Sequence, residues 1–267
     1  MWSPLFRALT ELSSRPSIAR MAGAFAKSAA SRRLIPRFAA FYRIAIEEAE
    51  HGIEKYATLN DFFIRKLKPG ARPVDPDERA VVSPVDGLVA ETGTIRPDRT
   101  FLVKGQSYTV DELLNGSPHA ARYMDGTFAV IYLSPANYHR IHSPVEADVI
   151  ESDRIPGAVY PVNDPSLRLM RRVLSRNVRL VTYLQSEGGA TTALVKVGAM
   201  NVASIRYAAG DQPPSHVAKG EELAYFEFGS TVVLLWERGR FAPSSALSPG
   251  SKVRMGEKIG ELEAARG

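Results

Sequence analysis

The chain contains no cysteine. That excludes a disulfide framework, a thiolate nucleophile and any zinc or iron–sulfur site built on Cys ligands. Long apolar runs are missing as well. No stretch approaches the ~20 residues that span a bilayer as a helix, and the N-terminus lacks the compact apolar segment of a secretory signal. Acidic residues are nearly absent from the first 43 positions, where Glu11 stands against Arg7, Arg15, Arg20, Lys27, Arg32, Arg33, Arg37 and Arg43. The remaining 224 residues hold 26 basic and 28 acidic groups. The net charge of +5 therefore comes from the N-terminal arm. A basic arm on a slightly acidic body, with no nucleic-acid recognition motif, favours an anionic membrane surface over nucleic acid. Familiar catalytic signatures are also absent: there is no Walker loop, HExxH, dinucleotide fingerprint or GxSxG elbow.

What is present is a chain of 267 residues, 45% hydrophobic and 24% charged, enough for one large globular domain or a domain with a small appendage. Its 20 Gly and 18 Pro imply many turns and a β-rich body. Residues 1–55 read as a basic, amphipathic helical arm and 56–267 as a β-rich catalytic domain. In the arm, Trp2, Phe6 and Leu9 follow helical spacing, with Leu5 and Leu12 beside them. A second stripe of Ile18, Met21 and Phe25 follows Pro16, and Pro36 starts a third with Phe38, Tyr42 and Ala45. Aromatic residues on one face and arginines on the other suit a helix lying in a membrane interface. The alternatives are helices packed on the body with solvated arginines, or an Arg- and Ser-rich transit peptide.

In the body, Thr58 is placed to cap a helix running through Phe62, Phe63 and Leu67 to Pro69-Gly70. Thr109 to Glu112 has capping-box spacing before Leu113 and Leu114. Asp164-Pro165 can start a helix carrying Leu167 to Leu174. Strand-like runs span Thr127 to Leu133, Val178 to Leu184, Thr191 to Val197, Asn201 to Ile205, and Leu223 to Trp236 with a bend at Gly229. The expected fold is α+β, a β-rich single catalytic domain with short N-terminal amphipathic helices. Ser83-Pro84-Val85-Asp86-Gly87 is echoed by Ser143-Pro144-Val145-Glu146-Ala147, each before a strand-like run, which hints at two related β-units.

The candidate chemistry lies at Asp86, His139, His142 and Ser230. Each has an ordinary structural reading: an Asp in a Pro-Val-Asp-Gly turn, two hydrogen-bonded histidines, a Gly-Ser-Thr bend in a strand. No carboxylate pattern accompanies the histidines to suggest a metal. Taken together, aspartate, histidine and serine can form an activated-nucleophile relay.

Longer segments carry a resemblance. Phe62-Phe63-Ile64-Arg65-Lys66-Leu67-Lys68-Pro69 is followed by Arg72-Pro73. Next come Ser83 to Gly87, and Leu133-Ser134-Pro135-Ala136-Asn137-Tyr138-His139-Arg140-Ile141-His142-Ser143-Pro144. Pro156-Gly157-Ala158-Val159-Tyr160-Pro161-Val162-Asn163, Val197-Gly198-Ala199, Lys219-Gly220-Glu221-Glu222 and Phe226 to Val232 complete the set. From Tyr56 to Arg238 the chain resembles phosphatidylserine decarboxylase, with Phe228 standing where Leu commonly precedes Gly-Ser-Thr. The resemblance implies a proenzyme that cuts itself between Gly229 and Ser230. His142 would act as base on the Ser230 hydroxyl and Asp86 as its orienter, with Gly229 leaving room for attack. The products would be a β chain, 1–229, and an α chain, 230–267, whose Ser230 becomes a covalent pyruvoyl group. That cofactor would form a Schiff base with phosphatidylserine and act as electron sink while carbon dioxide leaves, with His139 as the acid that reprotonates. The product would be phosphatidylethanolamine. The resemblance further implies a homodimer, peripheral on the cytoplasmic face of a bacterial membrane. Two other functions compete: a serine hydrolase using Asp86, His142 and Ser230 on an external ester, and a non-catalytic membrane-binding module.

Overall fold

The computed structural model describes residues 16–199, 205–227 and 230–263, with residues 16–20 described as helical backbone alone. The Trp2–Leu12 stripe, Asn201 to Ser204, Phe228 and Gly229 lie outside the described residues. The helices are α1 (Pro16–Ala26), α2 (Ile35–Tyr42), α3 (Leu59–Phe63), α4 (Val110–Leu113), α5 (Asp164–Leu169) and α6 (Val173–Arg176). The strands begin with β1 (Ala80–Val82), β2 (Gly87–Thr94), β3 (Thr100–Val103), β4 (Gln106–Thr109), β5 (Thr127–Leu133), β6 (Arg140–His142), β7 (Ala147–Ile155) and β8 (Arg179–Gln185). They continue as β9 (Thr191–Gly198), β10 (Ile205–Tyr207), β11 (His216–Val217), β12 (Glu222–Phe226), β13 (Ser230–Trp236), β14 (Phe241–Pro243), β15 (Lys252–Val253) and β16 (Lys258–Leu262). This is the expected α+β, β-rich class.

The centre is an antiparallel eight-stranded sheet in the order β11-β7-β8-β9-β13-β5-β2-β15. Its inner strands β8, β9, β13 and β5 are near-continuous hydrophobic runs because both faces are covered. On β13, Val233 and Leu235 face a core completed by the β3–β4 hairpin and the short helices, through Phe101, Tyr108, Leu113 and Leu174. Val232, Leu234 and Trp236 face the opposite core, which is closed by the three-stranded sheets β10-β12-β6 and β1-β16-β14.

The repeated Ser-Pro-Val segment is matched by a repeated geometry. Ser83 Oγ donates to the Val85 carbonyl at 2.7 Å and Ser143 Oγ to that of Val145 at 2.6 Å. The two segments exchange backbone bonds, Val82 N to Pro144 O and His142 N to Pro84 O, each at 2.9 Å. Each segment then enters a strand that bulges at the same place, after Val89 in β2 and after Val149 in β7. Each is also backed by a turn around a left-handed glycine, Gly256 (φ 87°) for the first and Gly220 (φ 79°) for the second. Gly256 N reaches Ser83 O at 3.0 Å and Gly220 N reaches Ser143 O at 2.9 Å.

Local signals placed the caps correctly. Thr58 Oγ1 accepts from Asp61 N and Thr109 Oγ1 from Glu112 N, both at 3.1 Å. Helix α3 stops four residues short of Leu67 because the chain beyond it pairs instead with the arm. Glu50 N donates to Lys66 O and Lys68 N to Glu48 O, both at 2.9 Å, around an Ala49–Leu67 bridge. The helix expected over Leu167 to Leu174 is broken at Met170 into α5 and α6.

In the arm, Pro36 sits in the first turn of α2, where its missing N–H costs nothing. Ile35, Ala39 and Ile44 share one buried cluster with Tyr56, Leu59 and Phe62, so packing is continuous across residue 55. Met21 and Phe41 remain 73% and 78% exposed, and Phe25, Leu34 and Tyr42 are also on the surface. No helix among the described residues is long and apolar enough to cross a membrane.

The turn at Gly256 gives a direct test of this frame. A Cβ there would lie 2.4 Å from the Pro73 carbonyl oxygen, on a backbone conformation that L-residues adopt only with strain. Gly256→Ala is expected to lower unfolding free energy by roughly 2–4 kcal/mol, measured by denaturant titration.

Candidate active site

Ser230 is the first residue of β13, where it pairs with Leu133 of β5 on one side and Gly198 of β9 on the other. It is fully buried, and its hydroxyl has no hydrogen-bond partner among the described residues. The strand before it, β12, belongs to a different sheet, between β10 and β6. The chain thus changes sheets between Phe226 and Ser230. The β5-to-β6 connection makes the opposite change alongside, leaving the large sheet after Leu133 and joining the small one at Arg140. Phe226 N donates to His139 O at 3.0 Å where the two crossings meet. This brings the β5–β6 connection alongside the segment that leads to Ser230.

The β5–β6 connection is braced by its own polar groups. Asn137 Oδ1 accepts from Ser134 N at 2.8 Å and Ser134 Oγ at 2.7 Å. Arg65 Nη2 donates to the Ala136 and Asn137 carbonyls at 3.2 and 3.4 Å. His139, at its end, is completely buried with its ring centroid 3.9 Å from that of Phe63. Its Nδ1 lies 2.8 Å from the Asn137 carbonyl. A carbonyl can only accept, so Nδ1 carries the hydrogen and Nε2 holds a lone pair. That Nε2 is buried and has no partner among the described residues. Burial first, and then the charge of Arg65, push the His139 pKa down to about 3.

His142 ends β6. Its Nδ1 donates to the Gly220 carbonyl at 2.8 Å and its Nε2 accepts from the Tyr138 hydroxyl at 3.1 Å. Burial lowers its pKa against the upward pull of Gly220, Glu222 and Asp86. Asp86, in the turn before β2, is held by Arg72: Nε at 2.9 and 3.1 Å, Nη2 at 2.6 Å. Met255 N adds a fourth bond at 2.9 Å. Arg72 Nη2 also reaches Glu48 at 2.7 Å. The structure therefore gathers Asp86 and His142 at one junction without a hydrogen bond between them, and Asp86 acts on His142 through its charge. Arg72 and Tyr138 were not singled out by sequence, although both sit inside the segments that carry the resemblance. No spacing rule connects Arg72 with a carboxylate fourteen positions on.

Two cavities adjoin this junction, and Tyr132 lines both. One, of about 530 Å³, is apolar and lined by Phe25, Phe38, Tyr42, Phe63, Tyr132 and Ala199 among others. Tyr132 and Ala199 are the chain neighbours of Leu133 and Gly198, between which Ser230 is paired. The other, of about 560 Å³, is lined by Asp86, Arg72 and Tyr138 together with further cations. From the arm, Lys27 forms a 2.7 Å ion pair with Glu227, two residues before Gly229.

A histidine kept neutral by burial makes stability pH-dependent. Unfolded His139 binds a proton near pH 6.5, whereas folded His139 resists until about pH 3. The unfolded state therefore holds more protons in this window, and stability falls as pH drops from 6.5 toward 3, by up to ~1.4 kcal/mol per pH unit from this group. The lowered pKa of His142 acts in the same direction. Denaturant titrations at stepped pH are expected to show this slope, and His139→Gln is expected to reduce it.

A family model described as phosphatidylserine decarboxylase matches residues 59–261, a span that contains all four candidate residues. The phosphatidylserine decarboxylase proenzyme of Geobacillus kaustophilus is 43% identical over 257 residues, covering 96% of each chain. That of Halalkalibacterium halodurans is 43% identical over 260 residues, 97% of this chain and 98% of its own. That of Bacillus mycoides is 42% identical over 255 residues, 96% of each. The similarity thus runs nearly end to end, through the arm as well as through the strands that meet at Ser230, and the chain belongs to the phosphatidylserine decarboxylase family.

Proposed function

We propose that this chain is a proenzyme that cleaves itself between Gly229 and Ser230 and then converts phosphatidylserine to phosphatidylethanolamine and carbon dioxide. The observation that carries this reading is the Ser230 hydroxyl, buried and without a partner among the described residues, on the first residue of the strand that follows the change of sheets. A buried hydroxyl that has lost water and gained no acceptor is destabilising, and such a group calls for an explanation. A nucleophile consumed during maturation supplies one.

In the cleavage step, the Ser230 hydroxyl loses its proton, its oxygen bonds to the Gly229 carbonyl carbon, and the Gly229–Ser230 C–N bond breaks to leave an ester and a free amine. His142 is the base. For that role Tyr138 must release Nε2 or hand the proton on to it, while Gly220 holds the Nδ1 hydrogen in place. Asp86, fixed by Arg72 and Met255, favours the protonated imidazole that results.

Position 230 suits a pyruvoyl group. Elimination breaks the ester's Cβ–O bond, so the oxygen leaves with the Gly229 carboxylate and the chains separate; the dehydroalanine left at 230 is hydrolysed to the ketone, its nitrogen departing as ammonia. Pairing on both sides holds the strand, and the neighbour Gly198 brings no side chain. The group would supply the ketone that captures the substrate amine and the electron sink for decarboxylation. His139 fits the proton transfers around it. Its depressed pKa makes the protonated imidazole a strong donor, suited to delivering a proton to the carbon that has lost carbon dioxide. The apolar cavity, walled by arm and body, suits the acyl part of a lipid.

We also propose that α1 and α2 rest on the membrane that supplies the substrate, with Met21, Phe25, Phe41 and Tyr42 inserted among headgroups and Arg33, Arg37 and Arg43 around them. The α and β chains of one precursor remain together as the working unit, in a homodimer.

Intact-mass measurement of purified protein is expected to show an α chain of 38 residues, about 4 kDa and blocked at its N-terminus. Ser230→Ala and His142→Ala should remain uncleaved. His139→Ala should be cleaved but lose roughly a hundredfold or more in kcat, the scale of general acid–base assistance. An active chain that is never cut would overturn the reading. Separately, Met21→Glu/Phe41→Glu should reduce co-sedimentation with vesicles containing phosphatidylglycerol while fragment masses stay those of the wild type.

A further inference from the structure

The polar cavity holds a charge imbalance that self-cleavage does not use. Its lining includes Arg43, Arg65, Arg72, Lys252 and Arg254 against two carboxylates, Glu48 and Asp86. Both carboxylates are already bound to Arg72. Glu48 lies a further 3.8 Å from Arg254, an exposed side chain. Arg43 and Lys252 form no ion pair among the described residues.

Arg65 is the unusual member. It is 4% exposed, yet it makes no ion pair among the described residues. Its guanidinium is satisfied in part by the carbonyls of Phe62, Ala136 and Asn137, while its buried Nε has no partner among the described residues. A buried guanidinium without a counter-ion carries a large desolvation cost, and burial lowers its proton affinity accordingly. An anion in the cavity would offset that cost. Arginine forks favour planar or tetrahedral oxyanions that take several charge-assisted bonds at once. With about three positive charges in excess, a phosphate group matches better than a single carboxylate.

The mouth of the cavity indicates where such a group would come from. Arg43 directly follows the surface aromatics Phe41 and Tyr42, and Leu88, 39% exposed, lines the cavity itself. We propose that this cavity, with Arg65 at its base and Lys252 and Arg254 at its rim, binds a phosphate group of the kind carried by a phospholipid headgroup or by free inorganic phosphate. It is distinct from the apolar cavity beside Ser230. The site stands independently of the self-cleavage reading; its lipid source alone rests on the membrane-facing placement of α2.

Titration calorimetry on the full-length wild-type protein tests it, with two probes: inorganic phosphate, and monomeric dihexanoyl phosphatidylglycerol, an anionic lipid that lacks the serine amine. Saturable binding is expected, weakened about tenfold or more in Lys252→Gln/Arg254→Gln and in Arg65→Lys, the cost of losing one or two charge-assisted contacts. Arg238→Gln/Arg240→Gln, which removes the same charge remote from the cavity, should bind like wild type. Binding of phosphate itself supports the site with free phosphate as a sufficient ligand, and binding of the lipid alone supports the headgroup as the source. No binding of either probe, undiminished binding in Lys252→Gln/Arg254→Gln, or equal weakening in the remote variant would overturn the proposal. Should Arg65→Lys fail to fold, as judged by thermal melting, the exposed double variant still decides. Fragment masses recorded on the same samples report on self-cleavage separately, so an uncut chain counts against the proposed function and not against this site.

Discussion

Because β13 is paired along its whole length with β5 on one side and β9 on the other, Ser230 keeps its place whatever happens to the link that precedes it. The strand on the other side of that link is held independently, by β6 and β10 in a different sheet. A cut between them severs a covalent crossing and leaves every ladder intact. A cut within a ladder would instead release a strand end from the core, with its apolar burial and its backbone hydrogen bonds. This separation of the two anchorages makes self-cleavage compatible with a folded product. It also sets the histidines where they are, since the β5–β6 connection crosses between the same two sheets.

The arm is tied to that junction by charge as well as by packing. One guanidinium, Arg72, joins Glu48 of the arm to Asp86 of the first Ser-Pro-Val turn, and Met255 of the paired turn completes the shell around Asp86. Lys27 meets Glu227 just before the crossing. Removing one partner of the buried Arg72–Asp86 pair leaves the other charge uncompensated, so that contact enforces position more than it adds net stability. The arm thus presents two sets of residues. Ile35, Ala39 and Ile44 hold it to the body, while Met21, Phe25 and Phe41 face outward.

Features set by a few consecutive residues were legible in the sequence. The run Thr127 to Leu133 is β5 residue for residue, the Thr58 and Thr109 caps are formed, and the Ser-Pro-Val echo corresponds to two turns that bond to each other. Features set by distant partners were not legible. Leu67 continues a helical pattern by spacing, yet the backbone of Glu48 to Glu50 claims that stretch. Arg72 looks like any basic residue after a Pro-Gly turn until Asp86 and Glu48 are seen around it. The sequence supplied the residues for a relay, but it could not show that Gly220 and Tyr138 occupy His142, or that Asp86 is bound to Arg72. Those partners are chosen by the way the two sheets come together.

The two histidines show how far surroundings decide the role of one residue type. They are three positions apart in one segment and both are buried. Burial lowers the proton affinity of both; the charges of Glu222 and Asp86 offset part of this at His142, whereas the charge of Arg65 adds to it at His139. Arg65 is also the cation that lacks a counter-ion. An anion bound next to it would weaken the field it exerts on His139 and make that imidazole easier to protonate. By linkage, protonating His139 would then strengthen anion binding to the same degree. A single buried guanidinium would thus couple an anion in the polar cavity to the protonation of His139.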